Sequence, residues 1–156
     1  MAHFAKLDEN NKVIKTIFLD NRDLLTSGGI ESETLGLAVI RERYGPGRWL
    51  QYSCKTSCGV HKEGRTAIRA NAPCVGAYYN QEYDIFHSRR PEGCDSWTLD
   101  PVKGTWIPPH PTPAGDSDNP TRYFETEYLW DEEAYQADNT TGWVLVTPEV
   151  SLESPE

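Results

Sequence analysis

Four cysteines are the residues with the most obvious chemistry, and they fall within one stretch of 41 residues: Cys54, Cys58, Cys74 and Cys94. Their spacing is C-x3-C-x15-C-x19-C, whereas most zinc ribbons are built from C-x2-C knuckles. His61 follows Cys58 by three residues and is a further candidate metal ligand. The pattern leaves three alternatives open, which are disulfides, a structural zinc site and free buried thiols. We expect no other cofactor.

The sequence contains no catalytic constellation. A cysteine nucleophile needs a base and an orienting group, and no protease signature surrounds any of the four cysteines. The four histidines form neither H-E-x-x-H nor H-x-H pairs. There is also no phosphate-binding glycine loop, no G-x-S-x-G and no kinase motif. We therefore expect a protein that is not an enzyme.

Aromatic residues are the second feature of interest, with five tryptophans and eight tyrosines in 156 residues. Exposed rings on a rigid β scaffold can stack on sugars, which is typical of a glycan-binding module. Rings can also hold hairpins together or fill a subunit interface, where Trp and Tyr concentrate. We favour the second interpretation, and the candidate interface or structural residues are Trp49, Trp97, Trp106, Trp130, Trp143, Tyr83 and Phe86.

Hydrophobic patterning predicts the elements that position these residues. Alternation over residues 3–19 around an Asn-rich turn predicts a β-hairpin. Ser32 is a candidate N-cap for a helix that ends at Gly45. Three aromatic hairpins are predicted at 78–86, 97–107 and 128–146, the last one joined by an acidic loop. The predicted fold class is α+β, with mostly antiparallel β-hairpins, one helix and long ordered loops.

Three regions are predicted along the chain. Residues 1–49 form an N-terminal module of one hairpin and one helix. Residues 50–147 form a loop-rich region of aromatic hairpins, which begins with a stretch of little periodicity at 53–73. Residues 148–156 are expected to be a flexible acidic tail.

Charge is distributed unevenly between the two parts of the sequence. The net charge is −9. Residues 111–156 carry −10, from one basic and eleven acidic residues, and residues 1–110 carry +1. Binding to nucleic acid needs clustered Lys and Arg, so we expect no nucleic-acid partner. The acidic segment is either a solvated surface or a face for a basic partner or a divalent cation. No long apolar run or secretory leader is recognisable, and we expect no membrane association.

Four blocks of sequence together resemble small accessory proteins of tailed phages that infect cyanobacteria and other aquatic bacteria. The blocks are residues 1–20, 49–61, 68–86 and 96–144, and the last of them contains Trp97, Trp106, Trp130 and Trp143. The cysteines depart from the pattern, which fits mutual bonding or a shared metal.

The resemblance implies a virion structural protein on the particle surface, made in the host cytoplasm and present in symmetric multiple copies. Its implied partners are other phage virion proteins of the capsid, tail or baseplate. Capsid decoration or cement and a tail or baseplate appendage both fit, and no catalytic residues are implied. A glycan-binding module for host-surface recognition is the alternative.

Overall fold

A computed structural model describes residues 1–113 and 127–146, which fall into two compact units. Unit 1 comprises Met1–Arg89 and Leu99–Thr105, and unit 2 comprises Arg90–Thr98 and Trp106–Glu156. The acidic tail predicted at 148–156 lies outside the described residues.

Short antiparallel strands dominate the described residues, and the predicted α+β class is confirmed. In chain order the elements are β1 (Ala2–Leu7), β2 (Val13–Leu19), a 3-10 turn (Asn21–Asp23), α1 (Glu33–Tyr44), β3 (Arg48–Tyr52), β4 (Thr56–Ser57), β5 (Val60–His61), β6 (Tyr78–Asn80), β7 (Ile85–His87), β8 (Thr98–Leu99), β9 (Trp106–Ile107), β10 (Glu127–Trp130), α2 (Glu132–Ala137) and β11 (Trp143–Val146). Neither α1 nor α2 has the length and apolarity to span a bilayer, and the described residues contain no other α-helix.

The first hairpin confirms the prediction for residues 3–19, with β1 antiparallel to β2. Its turn forms because Asp8 Oδ1 accepts hydrogen bonds from the backbone N–H groups of Asn10, at 2.8 Å, and Lys12, at 2.9 Å. Asn11 adopts a left-handed conformation with φ of 62°. β3 adds antiparallel to the other side of β1, which gives a three-stranded sheet in the order β2-β1-β3.

Both faces of this sheet are covered, so the central strand β1 is largely buried. On one face, Phe4 and Trp49 pack with Leu24 and with Ile40 of α1. On the opposite face, a second cluster joins the sheet to the β6–β7 hairpin: Ala5, Leu7, Val13, Tyr52, Ala77, Tyr79 and Phe86. The hairpin lies beyond the boundary predicted after Trp49, and residues 50–89 belong to the same unit as 1–49 because they complete this core.

Helix α1 begins and ends where the sequence predicts. Ser32 Oγ accepts a hydrogen bond from Leu35 N–H at 3.5 Å. Gly45 takes a φ of 77°, a left-handed conformation that stops the helix. Gly36 lets α1 approach the sheet, since a Cβ there would lie 2.5 Å from Phe4 Cζ.

Side chains take the place of a neighbouring strand along the outer edge of β3. Glu33 Oε1 accepts the Gln51 N–H at 2.8 Å, and Arg69 donates to the Gln51 carbonyl at 2.7 Å. Arg69 also pairs with Glu33 at 3.1 Å and with Asp84 at 2.8 Å. The edge is thereby hydrogen-bonded without a further strand.

The aperiodic stretch at 53–73 is ordered, as predicted, and it contains the small β4–β5 ladder. Asn71 fixes it by three hydrogen bonds. Its Nδ2 donates to the carbonyls of Phe86, at 2.9 Å, and Lys103, at 2.8 Å. Its Oδ1 accepts the Cys58 N–H at 2.8 Å.

All three predicted aromatic hairpins form, as β6–β7, β8–β9 and β10–β11. The acidic connection in the last hairpin differs from the prediction of a loop, because α2 occupies it. Asp131 caps this helix, with Oδ1 accepting the Ala134 N–H at 2.9 Å.

Candidate functional site

Three of the predicted tryptophans meet in unit 2, where we name Trp97, Trp130 and Trp143 the tryptophan cluster. Trp130 and Trp143 face each other across the β10–β11 ladder with ring centroids 5.3 Å apart at 78°. Trp97 lies 6.0 Å from each of them. These tilted and edge-to-face arrangements are favourable geometries for aromatic pairs, and all three rings are half-buried.

Two further rings extend the cluster. Tyr135 of α2 lies 5.3 Å from Trp130, and His110 lies 5.8 Å from Tyr135. The indole N–H of Trp143 donates to the His110 carbonyl at 3.0 Å, which ties the proline-rich segment to β11. Residues from five segments of unit 2 therefore hold one another in place.

Glu132 is the polar centre of this arrangement. Its carboxylate accepts hydrogen bonds from Gln136 Nε2, at 2.8 Å, and from the Trp130 indole N–H, at 2.9 Å. It also accepts from the Ser96 hydroxyl at 2.8 Å and the Ser96 N–H at 3.1 Å. These donors, Gln136 first and Trp130 second, lower the pKa of Glu132 from 4.5 to about 2.

Gly142 leaves room for the Trp130 ring because it has no side chain. A Cβ at this residue would lie 2.5 Å from the Trp130 ring, and its φ of 130° is a conformation that L-residues rarely adopt. Sequence reasoning missed the parts played by Gly142, Glu132 and Tyr135. The available signal was the Asp131-Glu132-Glu133 run, which is typical of a helix N-terminus.

The opposite face of the β10–β11 ladder carries an exposed pair of aliphatic side chains. Leu129 and Val144 pair across the strands on the side away from the tryptophans, because successive side chains alternate between faces. Leu129 is 50% exposed and Val144 is 44% exposed. We name this pair the outer β face.

Unit 2 is strongly acidic. It contains two basic and thirteen acidic residues, for a net charge of −11, while unit 1 carries +2. The outer β face is therefore an apolar patch on an acidic unit.

The remaining predicted aromatic residues do not join the tryptophan cluster. Trp49 and Phe86 are buried in unit 1, at 5% and 0% exposed, and have structural roles in its core. Tyr83 is 42% exposed. Trp106 is half-buried in unit 2, with the Arg90 guanidinium 4.8 Å from its ring centroid.

All four cysteines are free thiols. Cys54, Cys58 and Cys74 are exposed in unit 1, and Cys94 is buried in unit 2. Burial, followed by the charges of Glu132 and Asp95, raises the pKa of Cys94. Within residues 1–113 and 127–146, no three His, Cys, Asp or Glu side chains converge as a metal site, and His61 lines a cavity of unit 1 instead.

The chain matches no protein-family model, and no curated protein or solved structure shows significant similarity to it.

Proposed function

We propose that the chain is a non-enzymatic structural protein of a phage particle surface, and that it docks onto a neighbouring virion protein through unit 2. The observation that carries the proposal is the outer β face, an exposed pair of aliphatic side chains on a ladder whose other face is held by the tryptophan cluster. A two-stranded ladder is marginal alone, so added contacts on its free face stabilise it.

The proposed docking partner presents an apolar patch bordered by Lys and Arg. Unit 2 carries a net charge of −11, and complementary charge at the rim of an interface speeds encounter and excludes wrong partners. The tryptophan cluster packs on the other face of the same ladder and should hold the outer β face rigid. A preorganised surface of this kind loses little conformational entropy on binding. The resemblance to phage accessory proteins supplies the biological setting, and capsid decoration and tail or baseplate attachment are the two sites compatible with it.

Incorporation of the variant Val144→Asp into particles tests the docking role. The new charge replaces one of the two side chains of the outer β face, and the residue is 44% exposed, so the fold should tolerate it. We expect incorporation to fall at least tenfold, measured by mass spectrometry of purified particles. Val102→Asp is the matched control in unit 1, since Val102 is 70% exposed, and it should be incorporated like the wild type.

Equal incorporation of the wild type, Val144→Asp and Val102→Asp would contradict docking through the outer β face. Circular dichroism of both variants verifies that any loss arises at the surface and not from unfolding.

A further inference from the structure

A cavity of about 480 Å³ lies in unit 1 and is lined by the start of β1, the end of β3 and the segment after β5. Its volume falls in the range of small-molecule sites, roughly 300–1,000 Å³. The side chains that matter for recognition in its lining are His61, Gln51, Asn21, Glu31, Lys55 and Arg65.

Two polar side chains in this lining are more than nine-tenths buried yet have uncommitted polar atoms. Gln51 and His61 are each 8% exposed. The hydrogen bonds of Gln51 run through its backbone, and its side-chain amide contacts no described partner. A third lining residue, Asn21, has a side-chain Oδ1 that is enclosed and has no hydrogen-bond partner among the described residues.

His61 presents a defined donor to the same space. Its Nδ1 accepts the Glu63 N–H at 3.2 Å, and this bond assigns the proton of the neutral ring to Nε2. Nε2 has no hydrogen-bond partner among the described residues, and the residue is 8% exposed. Burying such groups is unfavourable unless they are hydrogen-bonded, so their placement around a cavity points to a polar ligand.

Charges of both signs line the cavity. Lys55 forms an ion pair with Glu63, and Arg65 lies 3.8 Å from the same carboxylate. Glu31 supplies a second carboxylate, and the N-terminal ammonium of Met1 supplies a third cation. An anion would meet side-chain cations that Glu63 already binds, whereas hydroxyl groups can bond to cations and to carboxylates alike.

From these features we propose that the cavity binds a small uncharged polyhydroxylated molecule, of the size of a monosaccharide. A hydroxyl group both donates and accepts, which suits the Gln51 amide, while His61 Nε2–H donates and Glu31 accepts. The site lies wholly in unit 1 and does not rest on the docking role of unit 2.

Protein-observed NMR titration of the full chain tests this inference. The probes are glucose, galactose, mannose and N-acetylglucosamine, with inorganic phosphate and glycine as charged counterparts. We expect saturable shift changes for at least one sugar, confined to residues 51–55 and 61–66 and to the neighbouring lining. The variant Gln51→Leu keeps the backbone bonds of β3 and should weaken that sugar at least tenfold, about 1.4 kcal/mol.

A second variant and a control make the result decisive. His61→Phe keeps a ring but removes the Nε2 donor, and it should weaken the same sugar. Lys62→Gln changes an exposed neighbour outside the lining and should bind as the wild type does. The proposal is overturned if no sugar saturates the wild type, if phosphate or glycine binds these residues more tightly, or if both cavity variants retain wild-type affinity.

Discussion

The two units are stabilised in different ways. Unit 1 has a conventional core in which both faces of a three-stranded sheet are covered, with Phe4 and Phe86 fully buried on opposite sides. In the described part of unit 2, Cys94 is the one buried hydrophobic side chain, and the half-buried tryptophan cluster and the Glu132 carboxylate organise the rest. Unit 1 is therefore held by two buried clusters, whereas the described part of unit 2 is organised around half-buried rings.

The two units are suited to different kinds of recognition, which are small-molecule binding in unit 1 and protein docking in unit 2. A well-packed unit can place polar groups around a cavity, as unit 1 does with Gln51 and His61. A unit built from a few rings and one carboxylate exposes an apolar face and gains stability from contacts made there. The net charges, +2 and −11, separate the units further.

The largest expected effect is in the core of unit 1. Phe4→Ala should destabilise the protein by about 3–5 kcal/mol, since Phe4 is 0% exposed and packs against Gly36 of α1. Urea unfolding followed by circular dichroism measures this loss. The matched control is Phe18→Ala, at a residue 63% exposed, which should stay within about 0.5 kcal/mol of the wild type. Similar losses in the two variants would mean that the sheet lacks the two-sided core.

A smaller effect is expected at the tryptophan cluster. Gly142→Ala should cost about 1–3 kcal/mol, because the new Cβ would lie 2.5 Å from Trp130. It should also change the tryptophan fluorescence of the folded protein. Gly29→Ala separates backbone strain from contact, since Gly29 has a φ of 74° and no atom within 4 Å of an added Cβ. Unchanged fluorescence in Gly142→Ala would show that Trp130 is not closely packed there.

The subtlest effect is the pH dependence contributed by Glu132. Its folded pKa of about 2 lies below the ordinary 4.5, so between these values the unfolded chain holds the extra proton. The contribution of Glu132 is complete above about pH 4.5 and is lost as the pH falls through about 2. Urea midpoints from tryptophan fluorescence across this range measure the slope.

Two glutamine variants test whether Glu132 causes the change of the urea midpoint with pH. Glu132→Gln should reduce it, because the amide does not titrate, and Glu133→Gln on the exposed side of α2 should leave it unchanged. Hydrogen bonds from Thr140 also lower the pKa of Asp138, so a residual slope is expected in Glu132→Gln. Identical slopes in Glu132→Gln and the wild type would contradict the role of Glu132.

Local patterns in the sequence predict the elements well. Alternation predicts the β1–β2 hairpin, and Ser32 and Gly45 predict the bounds of α1. The helix α2 was missed because six residues are too short for a periodic apolar pattern. The order of the 53–73 stretch was predicted, but its cause was not, since Asn71 bonds to Phe86 and Lys103, which are distant in the sequence.

The sites are less predictable than the elements. Residue type alone singles out the tryptophans, but only the fold reveals that Trp130 and Trp143 pair while Trp49 is buried in unit 1. The cavity brings Gln51, Asn21 and His61 together from separate segments, and no local spacing encodes this. The four cysteines were grouped by spacing, but Cys94 belongs to a different unit from the other three.

The most direct test of the central proposal is quantitative mass spectrometry of purified phage particles, digested without reduction. We predict that the chain is a stoichiometric component, in hundreds of copies for capsid decoration or a few dozen or fewer for a tail or baseplate. The same digest reports the cysteines, for which we expect unlinked Cys54, Cys58, Cys74 and Cys94 peptides. Absence of the chain from the particles would contradict the structural role.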